Sequence, residues 1–95
     1  RFPRRKPCGE CVNPAGVAAL HALGAWDRVA ALRPVPLHGW RITAPGGTGF
    51  DGAFPAGLAG LGVPRALLDA ALLDHARERG AAVREGARVA ELLSQ

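Results

Sequence analysis

The apolar positions of this chain form helical stripes in two places and short extended runs between and after them. Residues 1–12 show neither period, and Pro3, Pro7 and Gly9 mark them as a loop. Asn13-Pro14 then signals a helix start. Asn is a favoured N-cap, and Pro is tolerated at the first helical position because its missing N–H had no partner there. Val17, Leu20 and Leu23 follow at three-residue spacing, and Gly24 is a stop. Residues 25–32 predict a short second helical piece with Trp26 and Val29 inward, and two prolines in 33–36 break it. Residues 37–44, with Trp40, Ile42 and Thr43, predict a strand. Pro45-Gly46-Gly47 is a turn, and 48–54 returns as a weaker strand, which gives a hairpin. Residues 56–62 are Gly-rich and read as irregular.

The clearest helix spans 64–79. Pro64 opens it, and Leu67, Leu68, Ala71, Leu72 and Ala76 form a wide apolar face. Arg77 and Arg79 lie in its last turn, where cations suit the helix dipole, and Gly80 ends it. Residues 81–85 predict a short buried strand, Gly86 a turn, and 88–93 a further strand. The order is helix, hairpin, helix, strand, strand, which is an α/β chain. A helix feeding a short apolar strand is half of a βαβ unit, but no partner strand for it is evident upstream.

Ninety-five residues suffice for one small domain. With 48% hydrophobic residues the composition excludes intrinsic disorder. Most of that content is Ala, Leu and Val, so a core of small side chains and marginal independent stability are expected.

The formal net charge of +4 is local, since Arg1, Arg4, Arg5 and Lys6 supply all of it. Basic residues spread along a face and interleaved with aromatics would mark a nucleic-acid binder, and that pattern is absent. The cluster either meets a phosphate-bearing partner or is solvated. No run approaches the ~18 apolar residues of a membrane span. Two Cys and no signal-like stretch lead to the expectation of a soluble, cytoplasmic protein. The lack of Met and the abrupt charged opening suggest an internal piece of a longer chain.

Four groups of residues bear on chemistry. Cys8-Gly9-Glu10-Cys11 is a CxxC just before a helix, an arrangement that favours a thiolate, with Arg5 and Lys6 nearby. A thiol–disulfide role is therefore a candidate, although RRKP precedes it where a hydrophobic strand belongs. His21, His38 and His75 are scattered without ligand spacing, so no metal site is assigned. Asp51-Gly52 reads as a turn pair and no Ser/His/Asp spacing stands out, so no catalytic residue is assigned. Arg65 and Asp69 are four apart on one helix face. They form either a surface ion pair or a group in which Arg65 points at a ligand phosphate or ribityl chain.

The run Phe2-Pro3-Arg4-Arg5-Lys6-Pro7-Cys8-Gly9-Glu10 resembles the FPRxKxCGE segment of FAD-dependent oxidoreductases of the geranylgeranyl reductase and class A flavin monooxygenase type. Asn13-Pro14-Ala15-Gly16 and Leu20…Leu23-Gly24 are similar to the helix that follows it. Val63-Pro64-Arg65, Leu68-Asp69, Leu72-Leu73, Ala76, Gly80-Ala81, Val83, Gly86 and Val89 resemble a later block of the same family, in the same order. Together the blocks cover most of the chain.

The resemblance implies a fragment of a Rossmann-like FAD/NAD(P)-binding domain over 1–95. Residues 1–35 would be its flavin-side loop and helix, 36–58 a hairpin of the substrate sheet, and 63–95 a helix and strands. By similarity Arg4, Lys6, Cys8, Gly9 and Glu10 would lie beside the flavin, and Arg65 would contact the cofactor from its helix. Residues 82–85 would be the third strand of the nucleotide-binding sheet. FAD is the implied cofactor, with NAD(P)H as reductant and a small or isoprenoid-like molecule as substrate. The GxGxxG fingerprint and the later Gly-Asp segment of such proteins are missing, and Cys11 departs from the pattern. The missing flanking parts of the domain are therefore expected partners, and the chain alone is expected to be inactive and to bind FAD weakly or not at all.

Overall fold

The computed structural model describes residues 2–6 and 9–93. Its elements are β1 (Cys11–Val12), α1 (Pro14–Ala22), α2 (Trp26–Ala30), β2 (Val35–Leu37), β3 (Gly39–Thr43), β4 (Gly49–Ala53), β5 (Gly60–Gly62) and α3 (Arg65–Glu78). Among the described residues this is a small mixed α/β fold with three helices and two antiparallel sheets.

The helix signals act as expected. The side chain of Asn13 accepts the N–H of Gly16 at 2.8 Å, and Pro14 stands in the first turn of α1. Gly24 adopts φ 68°, a left-handed conformation that ends the helix without a Cβ clash. Leu20 carries the buried stripe of α1 with Val17 packed beside it, whereas Leu23 is 63% exposed. The predicted second helical piece is α2, with Val29 fully buried and Trp26 packed against the core. Arg33 takes φ 54° just before Pro34, so the chain leaves α2 through a left-handed residue and cannot resume it.

The core joins Leu20, Ala25, Val29, Leu61, Val63 and Leu68, with Val12, Val17, Trp26, Leu32 and Leu72 packed on it. Its organiser is β5, the middle of the three-stranded sheet β1-β5-β2. Gly62 faces Cys11 on one side and Val35 on the other, and Leu61 faces Val12 and Pro36. The sequence read 56–62 as irregular and 1–12 as a loop, so β5 and β1 are corrections. Both strands are too short to show alternation, and tertiary pairing alone sets them.

The second sheet is the expected hairpin. Trp40 faces Gly52, Arg41 faces Asp51 and Ile42 faces Phe50. Facing residues share one side of the ribbon, so Trp40, Ile42 and Phe50 line one face and Arg41 and Asp51 the other. Asp51 is therefore a strand residue and not part of a turn. Trp40 is 55% exposed and Phe50 65% exposed, so the ribbon stands out from the body. The radius of gyration of 17.0 Å fits such a shape, since a compact chain of this length has about 12 Å.

Residues 81–85 and 88–93 form no strand, which is a second correction. Val89, Leu92 and Leu93 are exposed, and both sheets are antiparallel and built from earlier residues. An apolar run pairs into a sheet only where a neighbouring strand offers its edge, and among the described residues none does so here. The tail is instead tied at Glu85, which accepts the backbone N–H of Phe2 at 2.7 Å and pairs with Arg77.

Candidate functional site

Two distant segments meet at the start of α3. The backbone N–H of Val63 donates to the carbonyl of Glu10 at 2.8 Å, which extends the β1–β5 ladder and draws the loop before β1 toward the helix. Lys6 then reaches Asp69, with Nζ 2.8 Å from Oδ2. Arg65 approaches the same carboxylate from one turn earlier in α3, with Nε 3.1 Å and Nη2 3.0 Å from Oδ1. The Asp69 side chain is only 11% exposed. The hydrogen bond from Lys6, reinforced by Arg65, holds its carboxyl below the usual carboxylate range against the opposing effect of burial.

Arg65 lies between two hollows. On one side a groove of about 490 Å³ runs between β1, the hairpin and α3, with Trp40, Leu68 and Leu72 as apolar walls and Gly9, Arg65 and Asp69 among its polar lining. On the other side a cleft of about 380 Å³ is lined by Arg5, Lys6, Glu10, Pro64, Arg65 and Ala66.

Four of the residues singled out from the sequence thus line these two adjoining hollows: Gly9 the groove, Lys6 and Glu10 the cleft, and Arg65 both. Arg4 does not join them, because its guanidinium lies over the ring of Phe2, 5.5 Å from the centroid. Cys8 lies outside the described residues, so the CGEC pair is represented by Cys11 alone, an exposed free thiol in β1. The Arg65–Asp69 pair read from its i,i+4 spacing forms, but its carboxylate is mostly covered and shared with Lys6. Sequence reasoning missed the wall formed by Trp40, Leu68 and Leu72, which it assigned to sheet and core. The only available signal was the pairing of an aromatic residue in the hairpin with an over-wide apolar face on α3.

The histidines have local roles. His21 stacks on Trp26 at 4.3 Å, and the ring of His75 bonds the carbonyl of Leu23 at 2.9 Å. Among the described residues no three His, Cys, Asp or Glu side chains converge as a metal site would require. No helix of the described residues is long and apolar enough to cross a membrane.

Neither a family model, nor a curated protein, nor a solved structure matches the chain.

Proposed function

We propose that this chain forms one wall of a flavin site in a FAD-dependent oxidoreductase, a reductase or monooxygenase. The observation that carries this reading is the meeting of two sequence blocks around Arg65, which borders both the groove and the cleft. The resemblance assigned Lys6, Gly9 and Glu10 in one block and Arg65 in another to the same cofactor. Lys6 and Arg65 share the carboxylate of Asp69, Gly9 lines the groove beside Arg65, and Glu10 lines the adjoining cleft with Lys6 and Arg65. The groove also suits the ring end of a flavin. It offers a flat aromatic wall at Trp40, aliphatic walls at Leu68 and Leu72, and polar groups at one rim.

The same residues do not suit the pyrophosphate end. The start of α1 is closed by the Asn13 side chain and by Pro14, and α3 follows Pro64, so among the described residues neither helix start is an open phosphate cradle. That end of the cofactor would be held by flanking sequence carrying the missing fingerprint. A flavin would supply two-electron chemistry with an NAD(P)H-type reductant on a small or isoprenoid-like substrate. The residues here would seat its ring, hold positive charge at one rim and exclude water from the apolar walls. A loop that binds a phosphate-bearing partner draws less support, because the Lys6 ammonium is engaged by Asp69 of α3.

The test is purification of the chain joined to its native flanking sequence. The expected product is yellow, with flavin released by acid denaturation. Arg65→Ala and Trp40→Ala should each weaken flavin uptake. A well-folded extended protein that purifies colourless and takes up no FAD on reconstitution overturns the reading.

A further inference from the structure

We infer that Asp69 is the positioning residue of this site, acting through Lys6 and Arg65 rather than on the ligand itself. The inference rests on the flavin reading and deepens it. Lys6 comes from the N-terminal loop and Arg65 from α3, and among the described residues the nearest backbone hydrogen bond from that loop to the β5–α3 segment is at Glu10. The link at Lys6 is one carboxylate shared by two cations. Lys6 takes Oδ2 at 2.8 Å, whereas Arg65 spans both oxygens, with Nε 3.1 Å from Oδ1 and Nη2 3.3 Å from Oδ2. Asp69 is more deeply covered than either cation, with 11% of its side chain exposed against 31% for Lys6 and 25% for Arg65. An anion in that place does two things. It brings together two cations that would otherwise repel, and it holds Arg65 at the border of groove and cleft and Lys6 at the cleft. Three charges in one cluster leave a single net positive charge at the rim. Loss of the carboxylate would leave two mutually repelling cations and remove the side-chain link between the loop and α3.

The chain itself supplies a reporter, since Lys6 is its only lysine. Its side-chain amine can be acylated under native conditions and the rate at Lys6 read by peptide mass spectrometry, apart from any terminal amine. The flank-extended protein is compared as wild type, Asp69→Asn and Asp69→Glu, each checked for an intact fold by its thermal midpoint and circular dichroism. In Asp69→Asn the acylation rate of Lys6 should rise about two- to fivefold, the range expected for losing a partly exposed ion pair. Flavin affinity should fall in the same variant, and Asp69→Glu should restore both. A purely structural role would lower the thermal midpoint without moving Lys6 reactivity in the folded protein.

Equal Lys6 rates in folded wild type and Asp69→Asn overturn the inference. So does a changed rate with unchanged flavin affinity, and that result leaves the flavin reading standing. Wild-type protein that takes up no flavin defeats the flavin reading and the inference with it, whereas the Lys6 rates then still report whether the clamp exists. If Asp69→Asn does not fold, Lys6→Gln removes the same link from the exposed side. Unchanged flavin affinity in folded Lys6→Gln overturns the inference.

Discussion

Gly60 lies directly against the backbone of Val12: a Cβ on Gly60 would stand 2.5 Å from the Val12 carbonyl oxygen. The contact is main chain against main chain, so neither partner can turn aside. Gly60→Ala should therefore push β5 away from β1 and cost about 1–3 kcal/mol. At Gly62 the same methyl group would meet only ordinary contacts, the nearest at 3.7 Å. Gly62→Ala should change stability by no more than about 0.5 kcal/mol. Thermal unfolding of the two variants beside wild type checks the contrast, and equal losses would count against this packing of β5.

Asn13 caps α1 through a single bond to the N–H of Gly16. Asn13→Ala should destabilise the chain by about 1 kcal/mol, and Asn13→Asp should recover most of it. Amide exchange localises the effect, since the N–H of Gly16 should lose protection in the Ala variant and keep it in the Asp variant.

Asp69 gives a pH dependence with a definite sign. Its folded-state carboxyl titrates below the ordinary range because Lys6 and then Arg65 stabilise the anion. Its contribution is therefore complete above the unfolded value of about 3.9 and is lost as pH falls through the lower folded value. Wild type should exceed Asp69→Asn in stability at neutral pH, and the gap should close in acid. Urea midpoints for both proteins across pH 2–7 test this, and a gap that widens in acid would show that the carboxylate is not held as an anion.

The hairpin contributes little to the stability of the body. Ile42→Thr and Phe50→Ser change residues 55% and 65% exposed, and each should stay within about 0.5 kcal/mol of wild type. Val29→Ala opens space at a fully buried position and should cost about 1–3 kcal/mol. Chemical denaturation of the three variants separates ribbon from core.

What the sequence revealed was the structure that local chemistry decides. Asn13-Pro14, Gly24, Pro64 and Gly80 punctuate the helices because capping and backbone freedom act within a few residues. Pro45-Gly46-Gly47 marks the hairpin turn for the same reason. The strands β1 and β5 were illegible because CV and GLG are too short to show a period of two, and their pairing, β5 with both β1 and β2, joins residues far apart in the chain. The error ran the other way at 81–93, where apolar pattern suggested strands but no edge among the described residues received them. At the site, Arg65 and Asp69 were legible as neighbours on one helix turn. The bond from Lys6 to the same carboxylate was not, since nothing local records that the loop folds back over α3.

The place of β5 between β1 and β2 also has a consequence for synthesis. The two outer strands never touch as a ladder, so each lacks its sheet partner until the chain has been made as far as Gly62. As the protein leaves the ribosome, α1 and α2 emerge with one apolar side uncovered, and Leu20 and Val29 wait for Leu61, Val63 and Leu68. The central sheet then closes around a late segment, at the entropic cost of ordering the long loop between β1 and β5. A nascent chain stalled before β5 should thus engage hydrophobic-binding chaperones, and one stalled beyond α3 should release them.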